Sequence, residues 1–179
     1  KSFFENSLDL IYAHDLRGNL FDANDIALET LGYKREEIPN ISFKNLIEKE
    51  QLEQAINIIK ELKEKGKQSK RTEYRLKTKN GNFIYVETYG IPLKKNGKLY
   101  GILGIANDIT ERKNAEMKLK ESESKFRTIS EQSLMGIIIL QDGVFKYVNE
   151  TIAKIGGRSF QELKDMSMRE FIRFIHPDD

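Results

Sequence analysis

The sequence repeats part of its own pattern, and this repeat constrains the fold more than any single motif does. The pattern that begins at Asn6-Ser7-Leu8 returns at Gln132-Ser133-Leu134. Further matches follow in the same order: 18–24 with 143–149, 31–33 with 156–158, 35–38 with 160–163, and Leu46-Ile47 with Phe174-Ile175. We therefore expect one complete unit followed by the N-terminal half of a second.

Hydrophobic periodicity in the first unit predicts two strands, several short helices, one long helix and three more strands. The predicted strands are 9–14, 18–23, 69–78, 83–93 and 98–108, and the predicted long helix is 51–65. Asn80-Gly81 and Asn96-Gly97 are hairpin turn signals, so the last three strands should be antiparallel. Asn24 or Asp25 is placed to cap the first short helix, and Gly32 to end it. The order of strands and helices indicates an α+β fold.

The first unit ends where an apolar strand pattern becomes a charged helix pattern, within Asp108-Ile109-Thr110. Thr110 is placed to be the N-cap of the helix, its hydroxyl accepting from a backbone N–H of the first turn. Residues 111–130 alternate acidic and basic side chains without Pro or Gly, which predicts one continuous helix. We therefore expect a first domain at 1–110, a helical linker at 111–130 and a truncated second unit at 131–179.

A heptad-spaced seam runs along this linker. Its members are Ala115, Leu119, Ser122, Phe126 and Ile129. Such a seam favours a parallel homodimeric coiled coil. The alternative is a single amphipathic helix lying on one of the domains.

The charge balance gives no overall drive toward nucleic acid or anionic lipid, because 30 basic and 28 acidic side chains leave a net charge of +2. No apolar run reaches the roughly 18 residues that a membrane span needs. We expect a cytoplasmic location without membrane contact by this chain, within a parent protein that is compatible with a membrane anchor. The chain opens on Lys1 rather than methionine, so we expect it to be a piece of a longer protein.

The residues offer no catalytic constellation. The sequence has no cysteine, which excludes disulfides, thiolate metal sites and a cysteine nucleophile. Acidic pairs such as Glu36-Glu37 and Asp178-Asp179 have no nucleophile, metal cluster or phosphate-binding loop near them. We therefore predict no catalytic and no metal-binding residues, and no enzyme in this chain.

The element order and several motifs resemble the PAS domain family, and the resemblance implies a five-stranded antiparallel sheet flanked by short helices. The residues that carry the resemblance are 6–11, 18–24, 31–33 before 36–38, 79–82, 85–87, Pro92 and 108–113. The likeness covers nearly all of residues 5–110 and again 130–179, where His176-Pro177-Asp178-Asp179 is similar to the family's segment before its long helix. In the first unit, Glu48-Lys49-Glu50-Gln51 stands where the family has its His-Pro-Asp-Asp segment. The first unit also has Tyr85 where many members have tryptophan.

PAS domains sense small molecules, bind cofactors or mediate association, and they pass a change from the sheet into the following helix. The resemblance implies that Asp108, Ile109 and Thr110 couple the first domain to the linker. It also implies a prokaryotic multi-PAS sensor whose downstream effector is a histidine kinase, with a cyclic-dinucleotide enzyme or a transcription regulator as rarer effectors. A ligand-free homodimerisation or protein-interaction module is the alternative function.

The fold implies a pocket between sheet and helices. The residues predicted to line it are Ile11, Leu28, Phe43, Ile56, Ile59, Tyr74, Leu76, Val86, Leu103 and Ile105. The alternative is that these side chains simply fill one another's space. The cofactor is left unknown: the absence of cysteine argues against a cysteinyl-flavin or thiol-linked chromophore. The long helix also lacks the histidine that haem-binding members use, His14 is expected to be structural, and a non-covalent flavin stays open.

The last strand of the first unit is apolar on both faces, with Tyr100, Ile102 and Ala106 on one and Leu103 and Ile105 on the other. The outer face of the sheet therefore needs a cover. We expect either the N-terminal segment with Phe3 and Phe4, or a second subunit, to provide it. The expected partners are a second copy of the chain, through the linker helix and this outer face, and a small-molecule ligand.

Overall fold

The computed structural model describes residues 2–166 and residue 170, and the chain divides into two compact units between Ala115 and Glu116. The predicted matches at Phe174-Ile175 and 176–179 lie outside the described residues. The predicted linker, 111–130, lies within one helix, Thr110–Gln132, which begins in the first unit and ends in the second.

Unit 1 is a five-stranded antiparallel sheet flanked by short helices. The strands are β1 (Leu10–Asp15), β2 (Leu20–Ala23), β3 (Thr72–Lys77), β4 (Phe83–Lys95) and β5 (Lys98–Asp108). The helices are α1 (Ser2–Glu5), α2 (Asp25–Leu31), α3 (Phe43–Leu46) and α4 (Leu52–Lys65), with 3₁₀ segments at Arg35–Asn40 and Lys49–Gln51. The spatial order is β2-β1-β5-β4-β3, so the last strand of the unit lies in the centre of the sheet. The predicted α+β fold is confirmed.

Local signals set the turns and helix ends of this unit. The β4–β5 hairpin turns at Asn96-Gly97, where both residues have positive φ angles of 49° and 75°. Asn24 caps α2, its side chain accepting from the N–H of Ala27, and Gly32 ends α2 in the left-handed conformation at φ 79°. These predictions are confirmed. Strand β3 begins at Thr72, later than predicted, and the buried Gln68 ahead of it donates from its amide to the carbonyl of Lys70 at 2.7 Å.

The main core lies between one face of the sheet and the helices. Its largest cluster contains Leu10, Leu20, Leu28, Leu31, Ile38, Ile41, Leu46, Tyr74, Leu76 and Val86, all buried. Strand β5 shows the alternation that separates the two faces. Ile102 and Ala106 are 3% and 2% exposed on the core face, whereas Leu103 and Ile105 are only half-buried on the other.

Unit 2 repeats the beginning of unit 1. The continuous helix α5 (Thr110–Gln132) is followed by β6 (Ile138–Gln141), β7 (Val144–Val148), α6 (Glu150–Gly156) and α7 (Phe160–Asp165). Phe145, Val148 and Leu163 form its buried cluster. Asn149 caps α6, and Ser159 with Glu162 forms the predicted capping box of α7.

Candidate ligand cavity and signal junction

A cavity of about 240 Å³ lies in unit 1 between the sheet and α4. Four of the predicted lining residues, Phe43, Ile56, Ile59 and Tyr74, lie in its wall. Ile56 is 61% exposed although it lines the cavity, so the cavity opens to solvent beside α4.

The other six predicted lining residues lie elsewhere. Leu28, Leu76 and Val86 belong to the packed core, and the first two border only a separate void of about 20 Å³. Ile11, Leu103 and Ile105 lie on the opposite face of the sheet, since Ile11 pairs with Ile105 while its neighbour Tyr12 faces the cavity opposite Gly104. Because both faces of β1 and β5 are apolar, the sequence pattern could not assign their sides.

Three rings form one wall of the cavity. Tyr12, His14 and Phe43 lie nearly parallel, with ring centroids 5.8 to 6.0 Å apart, and Tyr74 meets Phe43 edge-on at 5.4 Å. Tyr12 has room for its ring only because Gly104 lies opposite. A Cβ atom at that position would collide with the Tyr12 ring.

The cavity also has a polar side that the apolar pattern did not indicate. Gln68 is 3% exposed and accepts from the N–H of Gly90 at 2.6 Å, while its amide donates to Thr72 Oγ1 at 3.0 Å. The hydroxyls of Tyr12 and Thr88 are 3.0 Å apart, and burial raises the pKa of Tyr12 to about 12. The alternation of β3 and β4 is the sequence signal that could have placed Thr72 and Thr88 on the core face.

His14 presents a neutral acceptor to the cavity. Its Nδ1 lies 2.7 Å from the carbonyl oxygen of Asp15 and donates to it, which assigns the proton to Nδ1 and leaves Nε2 as an acceptor. Burial lowers the pKa of His14, and this outweighs the raising effects of the Asp15 carbonyl and carboxylate.

Arg17 and Lys44 line the cavity although both are exposed, so they stand at its opening. No acidic side chain lines the cavity. Within the part of the chain that the structure describes, neither cation has a carboxylate oxygen within 4.0 Å.

The junction between β5 and α5 is tied to strand β4. The N–H of Tyr85 donates to Thr110 Oγ1 at 2.9 Å, and the N–H of Ile109 donates to the carbonyl of Tyr85 at 2.8 Å. The N–H of Thr110 donates to Asp108 Oδ1 at 2.8 Å. Thr110 is therefore not the predicted N-cap: the helix already begins at Thr110, and the Asp108 carboxylate accepts from its first N–H while the Thr110 hydroxyl bonds across the sheet.

The first turn of α5 is also fixed by charge. Arg112 and Lys113 lie 3.3 Å and 2.5 Å from the two carboxylate oxygens of Glu73 on β3. The start of the helix thus contacts both strands at one edge of the sheet, β3 and β4.

The other end of α5 is held by unit 2. The Asn149 amide donates to the carbonyl of Ser130 at 2.8 Å. The Glu131 carboxylate accepts from the N–H of Glu150 at 2.7 Å and from the Tyr147 hydroxyl at 2.8 Å. Both hydrogen bonds to Glu131 lower its pKa, since they favour the charged form.

The predicted seam on α5 is largely exposed. Leu119 and Ile129 are 62% and 71% exposed, and Ala115 and Ser122 are exposed as well. Phe126 packs edge-on against Tyr147 within unit 2 at 5.3 Å. Apart from that contact, the described residues leave the seam open.

The outer sheet face keeps half-buried apolar side chains in Ile11, Leu103 and Ile105. Phe3 is 95% exposed and does not cover them. Of the residues described, no group of three or more His, Cys, Asp or Glu is placed to hold a metal ion. No described helix combines the length and the apolar character needed to cross a membrane.

Comparison with known families identifies the fold built from these elements. The PAS domain family model matches residues 9–111, and a second PAS domain model matches residues 124–179. The chain belongs to the PAS domain family. Unit 1 is the first PAS domain and unit 2 the beginning of the second, as the internal repeat predicts.

Two curated proteins resemble this pair of PAS domains. Sporulation kinase E of Bacillus subtilis is 28% identical over 156 residues, which are 87% of this chain and 20% of that protein. The methyl sulfide methyltransferase-associated sensor of Methanosarcina acetivorans is 25% identical over 177 residues, 98% of this chain and 17% of that protein. The chain thus spans about a fifth of the length of the curated relatives it matches.

A solved structure shows the same fold for one PAS domain. The crystal structure of the PAS domain of a protein from Colwellia psychrerythraea is 27% identical to this chain, with a TM-score of 0.55. The match covers 62% of this chain and 93% of that one. A single PAS domain thus accounts for 62% of this chain.

Proposed function

We propose that the chain is a sensory PAS module. In this proposal a small molecule binds in the cavity of the first domain, and the resulting change passes through Asp108-Ile109-Thr110 and α5 to the second domain. The observation that most supports it is the attachment of α5 at both ends. Thr110 is hydrogen-bonded to Tyr85 in the first domain, and Ser130 to Asn149 in the second.

The cavity and the junction share two strands. Thr88 and Gly90 line the cavity from β4, only a few residues after Tyr85. Ile102 lines it from β5, which continues without interruption into Asp108. A ligand that shifts either strand would therefore shift the hydrogen bonds that set the first turn of α5.

The receiving partner in the whole protein is proposed to be a histidine kinase. One curated relative is named a sporulation kinase and the other a sensor. In this proposal catalysis is assigned to a kinase domain outside the matched PAS domains, which cover about a fifth of each relative.

We propose that two copies of the chain associate in parallel through α5 and the outer sheet face. An exposed heptad seam is what a coiled coil requires before its partner docks. The same observation favours the second candidate function, a dimerisation module that needs no ligand.

The relay is tested by inserting one to seven residues within 116–124 of the full-length protein and measuring kinase output. Kinase output that varies periodically with the length of the insertion, in step with the heptad repeat, supports transmission through α5. The matched control places the same insertions at the exposed Asn96-Gly97 turn, where no such periodicity is expected. Output that is indifferent to insertion length in α5 contradicts the relay.

Native mass spectrometry separates sensing from dimerisation. A sensory module purifies with a molecule bound, or takes one up, and the mass reports its size. Preparations that stay empty while forming a constant dimer support the second function instead.

A further inference from the structure

We propose that the cavity of the first PAS domain takes a small organic carboxylate with an apolar body, whose negative group is held by Arg17 and Lys44. This inference rests on the proposed sensory function of the same cavity and specifies its ligand class.

The charge of the cavity favours an anion. Its lining contains two cations and no acidic side chain. Several other cations of the same domain have carboxylate partners: Arg35 contacts Glu5, Asp22 and Asp25, Arg75 contacts Glu48, and Lys79 contacts Glu37. Among the described residues Arg17 and Lys44 have no such partner, and both line the cavity.

The nearest acidic residue along the chain is committed to its own turn. Asp15 accepts from the N–H groups of Arg17 and Asn19 at 2.8 Å and 2.9 Å, and from the Asn19 amide at 2.9 Å. These bonds hold its two oxygens on the β1–β2 turn, so the Arg17 guanidinium remains available to a ligand.

His14 does not compete for the role of cation. Its ring is neutral at pH 7, because burial lowers its pKa and Nδ1 is committed to the Asp15 carbonyl. A ligand meets Nε2 only as an acceptor, so recognition of negative charge falls to Arg17 and Lys44.

The rest of the wall suits an apolar body. Leu52 and Ile59 face it from α4, and the rings of Tyr12, Phe43 and Tyr74 face it from the other side. An apolar cavity of about 150 Å³ in another protein holds benzene. The cavity here, about 240 Å³, therefore has room for a six-membered ring or short chain together with a carboxylate.

The test compares phenylacetate with its neutral isostere phenylacetamide, by titration calorimetry on the purified 179-residue chain. Phenylacetate should bind at least about tenfold more tightly than the amide, since a charged hydrogen-bonded pair contributes on that scale. The double variant Arg17→Gln/Lys44→Gln should remove this preference, and the control Lys98→Gln, an exposed lysine outside the cavity, should keep it. Both variants change exposed side chains and should fold.

Equal binding of acid and amide overturns the inference, and so does wild-type affinity in the double variant. Failure of a panel of benzoate, phenylacetate, hexanoate and succinate to bind at about 10 mM also overturns it. Tight binding of the amide alone overturns the carboxylate class but not the sensory function, whose ligand would then be neutral. Carboxylate binding without any change in amide hydrogen exchange at 110–115 supports the ligand class but contradicts the relay.

Discussion

Asn24 and Asn149 make the same four hydrogen bonds, each in its own PAS domain. Each side-chain oxygen accepts from an N–H in or directly before the first strand of its domain and from the helix N–H three residues on, and each amide donates to two carbonyls. In the first domain the N–H groups of Ile11 and Ala27 donate to Asn24, and its amide donates to the carbonyls of Phe4 and Asp9. In the second domain the N–H groups of Ile137 and Ile152 donate to Asn149, and its amide donates to the carbonyls of Ser130 and Met135. Both asparagines have no exposed surface.

The equivalence extends to the preceding helix. Glu5 accepts from the N–H of Asp25 at 3.2 Å, as Glu131 does from Glu150. Helix α1 and the last turn of α5 therefore hold equivalent positions, each in its own domain. Each domain is therefore hydrogen-bonded to the helix that precedes its first strand.

Replacing either asparagine by alanine should destabilise its own domain by about 2–4 kcal/mol, because several buried backbone groups lose their partner. Hydrogen exchange followed by mass spectrometry should show faster exchange confined to 2–115 for Asn24→Ala and to 116–166 for Asn149→Ala. The exposed Asn45 supplies the control, and Asn45→Ala should change stability by no more than about 0.5 kcal/mol. Equal effects of all three substitutions would contradict the role of the buried pair.

Thr110→Val should weaken the junction, while Thr110→Ser should preserve it. Valine leaves the N–H of Tyr85 without its acceptor, at a cost of about 1–3 kcal/mol, whereas serine retains the hydroxyl. The measurement is the thermal midpoint together with exchange of the Tyr85 amide. Identical Tyr85 protection in both variants would show that the hydroxyl does not hold this strand.

Gly104→Ala should disturb the cavity as well as stability. The added methyl group would displace the Tyr12 ring, and strain of this kind costs about 1–3 kcal/mol. Gly156→Ala is the matched control, because nothing lies within 4 Å of its added carbon and it ends helix α6. That variant should be neutral or stabilised by up to about 1 kcal/mol. Chemical unfolding checks both, and a Gly104→Ala protein as stable as wild type contradicts the close approach.

The pH dependence of stability should carry a contribution from His14. Its pKa in the folded protein lies below the unfolded value of 6.5, so the unfolded chain binds more protons in this range. Stability is therefore fully present above the unfolded pKa and falls as the pH drops from there toward the folded pKa. Relative to His14→Gln, the wild type should lose unfolding free energy between about pH 7.5 and pH 5.5.

Other groups do not obscure this comparison. Hydrogen bonds lower the pKa values of Glu37 and Glu61, so their contributions are lost at pH values below the unfolded glutamate pKa. His176 is common to both proteins and cancels. Parallel pH profiles of wild type and variant would exclude a neutral, buried His14.

Leu119→Asn combined with Ile129→Asn should shift the chain from dimer to monomer, because both substitutions place a polar group in the seam. Sedimentation equilibrium measures the change, and a weakening of at least about tenfold is expected. Lys118→Asn, at an exposed position outside the seam, should leave association unchanged. A dimer that persists in the double variant would assign association to another surface.

Strong local signals made most of the fold predictable. Strand β5 has its predicted bounds, Lys98–Asp108, because an Asn-Gly turn precedes it and a helix with dense charge follows. Asn24, Gly32 and Ser159 cap their helices through contacts within a few residues, which sequence reading can reach.

The candidate site was harder to predict because it depends on partners distant in sequence. Ile11 and Tyr12 are adjacent, and either side chain could be buried in a core. Only the pairing of β1 with β5 shows that Tyr12 faces the cavity. Threonine is a common N-cap residue, but the hydroxyl of Thr110 accepts from the backbone N–H of Tyr85, on another strand. Homodimerisation, the ligand and the cytoplasmic location remain predictions.

The position of β5 has a mechanical consequence. This strand is hydrogen-bonded to β1 on one side and to β4 on the other, and it leads directly into α5. A pull on the helix is therefore shared by two rows of backbone hydrogen bonds, whereas a pull on an edge strand would open a single row from its end. The helix is thus anchored to a strand that can detach from the sheet only if both rows of hydrogen bonds break.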